Sequence, residues 1–290
     1  MSHIPKIFRI LFLVGVIVYS PFLFGQDKSI KYGNNPDAGH FITVGAARIY
    51  YEVYGSGGTP LILLHGGLYG YIDEFRDLIE EMSLHRKVIA IATRGHGKSE
   101  IGTQTFSYKL FAGDALAVIQ HETHGSVDVL GFSDGAITSY ILAADHPALV
   151  RKLVAAGGPR GKRDWTAKAV AEFDAAKPSD VEKHDPGFVA DRKKLMPEPA
   201  RWIEFVTRVT ALESPLEDVS DEEIRSIQAS TLIIAGDRDP YNRIDAFVEI
   251  YHTLRKGNMM VVPGCGHLVF VDQPKLTIDA VSGFLADRGP

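Results

Sequence analysis

Ser133 is the central residue of the pentapeptide Gly-Phe-Ser-Asp-Gly, residues 131–135, which begins and ends with a glycine. The pentapeptide follows an apolar run over 127–130 and opens a run with helical character over 136–144. At such a strand-to-helix junction a serine can occupy a turn too tight for flanking side chains, which exposes its hydroxyl at the top of a sheet. The setting predicts a nucleophile, although the pentapeptide alone is weak support in a chain with 28 glycines.

The chain also offers the base and the acid that a serine nucleophile needs, since its hydroxyl has little reactivity until a base removes the proton. His267 follows the apolar strand 259–262 and is the predicted base. Two carboxylates, Asp237 and Asp239, follow another buried strand, and either can orient the imidazole. Asp239 and His267 lie 28 residues apart, which leaves room for one helix, predicted over 242–254, between two parallel strands.

Acyl transfer further requires hydrogen-bond donors for the negative oxygen of its tetrahedral intermediate. The apolar strand 61–64 ends in His-Gly-Gly at residues 65–67, and glycines after a buried strand let backbone N–H groups point into open space. We predict that the N–H groups of Gly67 and Asp134 are the two donors of this oxyanion hole. His65 is predicted to hold the loop by hydrogen bonds rather than to act as a base.

Eight apolar or alternating segments are predicted as strands, with helical segments between most of them. This alternation indicates an α/β protein with a mostly parallel eight-stranded sheet and helices on both faces. The interval 158–228 is too long for a simple crossover and shows helical periodicity interrupted by prolines, so we interpret it as an inserted helical lid. The predicted strands span residues 41–44, 48–53, 61–64, 88–92, 127–130, 153–156, 232–235 and 259–262.

A substrate pocket is expected between the lid and the turn that carries Gly67. Leu68 and Tyr69 lie just past that turn, and Trp165 and Trp202 lie in the lid interval. These four residues are the predicted pocket residues. For the aromatic ones, packing of the lid onto the body or an ordinary surface position is the alternative.

From about Phe41 to its C-terminus the chain resembles the α/β-hydrolase superfamily. The resemblance is carried by the pentapeptide around Ser133, by the chain order of nucleophile, acid and base, and by the Arg-Gly-His-Gly-Lys-Ser turn at 94–99. It implies an α/β-hydrolase fold in which the lid is inserted after the sixth strand. It also implies that Asp239 is the acid of a Ser-His-Asp triad, whereas Asp237 supports the turn.

More narrowly, residues 131–138 resemble the nucleophile elbow of valacyclovir-hydrolase-like amino-acid ester hydrolases. In those enzymes the aspartate after the serine recognises a substrate amine, and the resemblance implies the same role for Asp134. A carboxylate in the first turn of a helix is also favoured by the helix dipole, so a purely structural role for Asp134 is the alternative.

Together these residues predict a serine hydrolase that cleaves a carboxylic ester or lactone through an acyl-enzyme, with no metal or organic cofactor. Amides and carbon–carbon bonds are less favoured targets. One alternative is an amino-acid ester or amide hydrolase, and another is a catalytically silent binding protein on the same fold. The expected partner is a small-molecule ester or related substrate, and the oligomeric state stays open.

Composition is consistent with this class of protein. The chain has 290 residues, of which 45% are hydrophobic, enough for one large core. A net charge of −5 offers no basic face for nucleic acid. Cys265 is the sole cysteine, so no internal disulfide can form, and we expect a small packed side chain at this position.

The N-terminus has the order of a secretory signal. Lys6 and Arg9 precede an apolar run over 10–19, which is followed by a short segment ending at Gly25. We therefore expect a signal peptide over 1–25, a hydrolase domain over 26–290, and export to the periplasm or the outside of the cell. An uncleaved N-terminal membrane anchor is the alternative.

Overall fold

A computed structural model describes residues 31–175, 177–184, 186–212 and 218–286. The signal peptide predicted over 1–25 lies outside these ranges. Within them, no helix combines the length and the apolar character of a membrane span.

The described strands form an eight-stranded sheet in the spatial order β1-β2-β4-β3-β5-β6-β7-β8. A two-residue turn with Gly45 at φ 57° joins β1 to β2, which pair antiparallel, and β2 pairs antiparallel with β4. All other neighbours are parallel. The strands are β1 (Gly39–Val44), β2 (Ala47–Tyr54), β3 (Leu61–Leu64), β4 (Val88–Ile91), β5 (Val127–Phe132), β6 (Val150–Ala156), β7 (Ser230–Gly236) and β8 (Gly257–Val262).

Helices cover both faces of this sheet, because the central strands are apolar on both sides. Every residue of β3, β4 and β5 is buried. Helices α1 (Arg76–Met82) and α11 (Pro274–Leu285) pack on one face. Helices α2 (Tyr108–Glu122), α3 (Asp134–Asp145) and α9 (Ile244–Thr253) pack on the other. The mostly parallel sheet between two helical layers confirms the predicted fold class.

An insertion between β6 and β7 contains further helices, and we call residues 158–228 the lid. Its helices are α4 (Ala167–Ala175), α5 (Pro178–His184), α6 (Pro186–Leu195), α7 (Trp202–Leu212) and α8 (Asp221–Ser226). Short 3₁₀-helices span Lys162–Asp164 and Pro199–Arg201, a third one, Ile72–Phe75, precedes α1, and the four-residue helix α10 (Val269–Asp272) precedes α11.

The turn over residues 94–99 connects the lid to the body. Arg94 is fully buried and donates to both carboxylate oxygens of Asp114 in α2, at 2.8 and 2.6 Å. Removing one partner of such a buried pair typically costs about 3–5 kcal/mol, because the other charge is left uncompensated. The His96 ring packs edge-on against Phe205 of α7, with 4.8 Å between ring centroids. This turn is therefore a structural junction.

Candidate active site

Ser133 occupies a sharp turn between β5 and α3. Its φ is 52°, which makes it the one non-glycine residue with a positive φ in the part of the chain that the structure describes. Side chains at Gly131 and Gly135 would collide with backbone, since a Cβ would overlap the carbonyl oxygen of Gly135 in the first case and that of Leu64 in the second. A serine held in this strained conformation is typical of a functional constraint. The sequence placed the helix start at 136, and the structure places it at Asp134.

His267 lies within hydrogen-bond distance of both predicted partners. Its Nε2 atom is 3.0 Å from the hydroxyl oxygen of Ser133, and its Nδ1 atom is 2.8 Å from Oδ2 of Asp239. With the Nδ1 proton donated to Asp239, Nε2 is free to accept the serine proton. Three loops that are far apart in sequence, after β5, β7 and β8, meet here at the carboxyl edge of the sheet.

The carboxylate of Asp239 accepts three further hydrogen bonds, from Tyr241 and Asn242. Its Oδ1 atom accepts the backbone N–H groups of Tyr241 and Asn242, at 2.8 and 3.1 Å. Its Oδ2 atom accepts the side-chain amide of Asn242 at 3.2 Å. Burial by itself would raise the pKa of Asp239, but the adjacent His267 and these hydrogen bonds lower it below its ordinary value. Asp239 therefore stays ionised at neutral pH.

The neighbouring acids also change the pKa of His267. Burial by itself would lower it, but the charge of Asp239 and its hydrogen bond raise it above its ordinary value, with smaller contributions from Asp134 and Glu74. The site thus stabilises the imidazolium that forms when the ring accepts a proton.

The contacts of Asp237 and Cys265 differ from those of Asp239 and His267. Asp237 accepts the backbone N–H of Cys265 at 3.1 Å, and hydrogen bonds from the Gly264 region lower its pKa. The thiol of Cys265 is buried, and burial together with Asp272 raises its pKa to about 12. Asp237 supports the turn before His267, and Cys265 is a neutral packed side chain.

The loop after β3 is fixed by His65. Its Nδ1–H donates to the carbonyl of Gly66 at 2.8 Å, and its Nε2 accepts the backbone N–H of Thr93 at 2.9 Å. Burial lowers the pKa of His65 well below its ordinary value, so the ring is neutral. The Gly66 carbonyl and the Gly67 N–H lie on opposite sides of one planar peptide. Holding the carbonyl therefore fixes the direction of the Gly67 N–H.

Asp134 contributes two groups to the site. Its N–H is at the start of α3, where no acceptor within the helix is available. Its carboxylate packs against Gly67, so that a Cβ there would lie 2.5 Å from Oδ2, and it accepts a hydrogen bond from Tyr108. Burial raises the pKa of this carboxyl to about 6, although Tyr108 and His267 oppose the change.

The predicted pocket residues lie in different surroundings. Tyr69 packs against Phe188 of α6 with 4.9 Å between centroids, and the partly buried Leu68 packs against the core. Trp165 pairs with Asn242 through the backbone, next to Asp239. Trp202 is buried in the lid beside Phe205, with centroids 5.5 Å apart. The pocket role of all four stays a prediction, and the Trp202 ring also lies 5.8 Å from the ammonium of Lys193.

Three residues that the sequence did not single out join this site. Asn242 contacts Asp239, Tyr108 contacts Asp134, and Glu74 accepts the backbone N–H of Gly66 at 3.1 Å. The polar side chain of Asn242, three positions after the acid, was a sequence signal for a contact with Asp239. No local pattern indicated Tyr108 or Glu74. No group of three or more His, Cys, Asp or Glu side chains in the described ranges is arranged to hold a metal ion.

Comparison with known proteins identifies the family. The model of the alpha/beta hydrolase family matches residues 61–280, and the chain belongs to this family. A Haemophilus influenzae protein provisionally named an esterase/lipase is 25% identical over 254 residues, covering 81% of this chain and 86% of the relative. The 2-hydroxy-6-oxo-2,4-heptadienoate hydrolase of Pseudomonas putida is 27% identical over 277 residues, covering 87% and 98%.

Solved structures share the fold. A meta-cleavage product hydrolase from Pseudomonas fluorescens superposes with a TM-score of 0.70 at 20% identity, covering 86% of this chain and 98% of that one. The family and these relatives establish the chain as a hydrolase of the α/β-hydrolase superfamily.

Proposed function

We propose that this hydrolase cleaves a carboxylic ester or lactone through an acyl-enzyme on Ser133. The observation that carries the proposal is the continuous hydrogen-bonded line from Asp239 through His267 to Ser133, with the serine on a strained elbow. A strained nucleophile, a base and an ionised acid in contact are the parts that covalent acyl transfer requires.

In the first half of the reaction the Ser133 oxygen attacks the substrate carbonyl while His267 Nε2 takes the hydroxyl proton. The N–H groups of Gly67 and Asp134 hold the negative oxygen of the tetrahedral intermediate. Collapse of this intermediate breaks the bond to the alcohol, which leaves with the proton from His267. The negative charge of Asp239 stabilises the imidazolium throughout.

In the second half a water molecule attacks the acyl-enzyme, and His267 again takes the proton. The second tetrahedral intermediate releases the carboxylic acid, and the proton returns to Ser133. The water is the only co-reactant, and no step requires a metal or an organic cofactor. An ester or lactone fits this scheme because its alkoxide leaving group accepts the proton that His267 has taken from the serine.

A second candidate function is hydrolysis of amino-acid esters, favoured by the carboxylate of Asp134. This partly buried group packs against Gly67, close enough to His267 for each to change the pKa of the other. A substrate ammonium bound there would neutralise an anion that is otherwise costly to bury.

The test is labelling with a fluorophosphonate probe, followed by hydrolysis of p-nitrophenyl esters of increasing acyl length. We expect labelling of the wild type, none of Ser133→Ala, and a loss of several orders of magnitude in kcat for Ser133→Ala and for His267→Ala. The double variant should be little worse than either single variant, because the residues act as a unit. A folded wild type that is neither labelled nor active would favour a binding protein on the same fold.

A further inference from the structure

The loop that carries the proposed oxyanion donor is held at Gly66 from two sides. His65 binds the carbonyl of Gly66, while Oε2 of Glu74 accepts its N–H at 3.1 Å. Glu74 belongs to the 3₁₀-helix Ile72–Phe75, whose first turn is closed by a bond from the Glu74 N–H to the carbonyl of Tyr71 at 3.1 Å. Both polar groups of Gly66 are thus engaged by side chains, one residue before Gly67.

Glu74 makes close contact with this loop. Its Oε1 atom lies 3.6 Å from the position a Cβ would take on Gly66. The Phe132 ring lies 3.3 Å from the same position, and that ring also packs against His267, with 5.1 Å between centroids. The carboxylate therefore lies next to the oxyanion loop and one ring away from the proposed base.

The charges that face Glu74 come from three elements. Burial raises its pKa, and Asp73 of the same 3₁₀-helix adds to the rise, giving a value of about 7. The Gly66 N–H, Arg192 of α6 and His267 oppose it. In the other direction, the Glu74 charge is one of the contributions that raise the pKa of His267. Glu74 and the base are electrostatically linked.

We infer that Glu74 is a positioning residue for the proposed acyl transfer, with two effects. Its carboxylate holds the Gly66 N–H and so keeps the Gly67 N–H in place for the oxyanion, and its negative charge favours the protonated state of His267. The inference rests on the proposed function, and it adds to that function a residue that acts through Gly66 and His267 without contacting substrate.

The two effects can be separated because glutamine keeps an acceptor oxygen but carries no charge. Glu74→Gln retains a bond to the Gly66 N–H and removes the electrostatic effect on His267. Glu74→Ala removes both and leaves the Gly66 N–H without its partner. Glu81→Gln, an exposed position on α1, is the matched control for loss of one glutamate charge.

The experiment measures kcat, KM and the pH profile of kcat/KM for p-nitrophenyl butyrate with the full set of variants. For Glu74→Gln we expect kcat to fall about 3- to 10-fold with little change in KM, and the acid limb of the profile to move down by about 0.5 pH unit. The limb moves down because loss of a nearby anion lowers the pKa of His267. For Glu74→Ala we expect a loss of about 10- to 100-fold, approaching that of an oxyanion donor.

Each outcome decides the inference. Wild-type values of kcat and an unshifted acid limb in folded Glu74→Gln and Glu74→Ala would overturn it, as would an equal shift in Glu81→Gln. If Glu74→Ala fails to fold, the pH profile of Glu74→Gln alone decides. A wild type that is not labelled by fluorophosphonate and hydrolyses no ester would instead overturn the proposed function, and this inference with it.

Discussion

Two aspartates only two positions apart have different tasks in the proposed mechanism. Asp239 contacts His267, whereas Asp237 binds the backbone of the following turn. Asp239→Asn keeps the shape but removes the charge that supports the imidazolium, so we expect kcat for an ester to fall by about 10⁴. Asp237→Asn should lower kcat far less. Steady-state kinetics of both folded variants test this assignment, and a reversed order of losses would make Asp237 the acid.

The carboxylate of Asp134 decides between a general esterase and an amino-acid esterase. A charge-assisted hydrogen bond to a substrate ammonium contributes about 1.5–3 kcal/mol, which corresponds to a preference of about 10- to 100-fold for an α-amino ester over its uncharged counterpart. Asp134→Asn should erase the preference and lower hydrolysis of the uncharged ester only modestly, since one charge near His267 is lost but the backbone N–H survives. The measurement is kcat/KM for a matched ester pair. Equal values for the pair on the wild type would eliminate amine recognition.

Single residues could be predicted from the sequence where a short motif contains them. Ser133, Asp239 and His267 each follow an apolar strand, and their chain order is enough to propose a joint site. Glu74 and Tyr108 could not be predicted in this way. Their importance depends on contacts with Gly66 and Asp134, which are set by how the 3₁₀-helix and α2 pack on the sheet.

At the scale of elements, the strands were predictable because β3 to β7 are short apolar runs between turns. The predicted and the observed elements differ at their ends. For example, β5 continues to Phe132, and α9 spans Ile244–Thr253 where the prediction was 242–254. The lid was predictable only as a helical interval. Its placement depends on side-chain contacts with the body, such as Phe205 on His96, and no local pattern encodes them.

The contact between α6 and the segment that follows β3 is one of these attachments. Arg192 donates to the carbonyl of Tyr69 at 3.2 Å and to Asp73 at 3.3 Å, and its guanidinium lies over the ring of Phe188 at 4.8 Å. Its side chain is 14% exposed, so the cation is partly shielded from water. The interaction fixes a lid helix directly above the loop that follows β3.

Arg192→Ala should therefore loosen α6 from the body. We expect a loss of about 1 kcal/mol in the free energy of unfolding, equivalent to about 2–4 °C in the melting temperature, and a rise in KM for a p-nitrophenyl ester. Lys194→Ala is the matched control, since Lys194 is exposed on the same helix and bonds to Asp191. An Arg192→Ala protein with the stability and KM of the control would show that this contact does not hold the lid.

At the scale of the whole molecule, several acids near the site affect stability in the same direction. Burial raises the pKa of Glu74 and of Asp218 to about 7 and that of Asp134 to about 6. Between the ordinary values of 4.5 for Glu or 3.8 for Asp and these raised values, the folded chain binds more protons than the unfolded chain. Stability must then fall as the pH rises through this range.

We therefore predict that the melting temperature decreases from pH 6.5 to pH 8. The raised pKa of His267 acts in the same sense, since its contribution is full below about pH 6.5 and is lost as the pH rises. The lowered pKa of Asp239 acts in the opposite sense, but only in more acidic solution, and the lowered pKa values of the buried His65 and His96 oppose the trend only below about pH 6.5. Scanning calorimetry at constant ionic strength measures the slope of the melting temperature against pH. Glu74→Gln should flatten it, because Glu74 takes up a proton on folding in this range. A melting temperature that is constant or rises from pH 6.5 to pH 8 would contradict the raised pKa values around the proposed base, and with them the view that this site keeps several acids partly protonated at neutral pH.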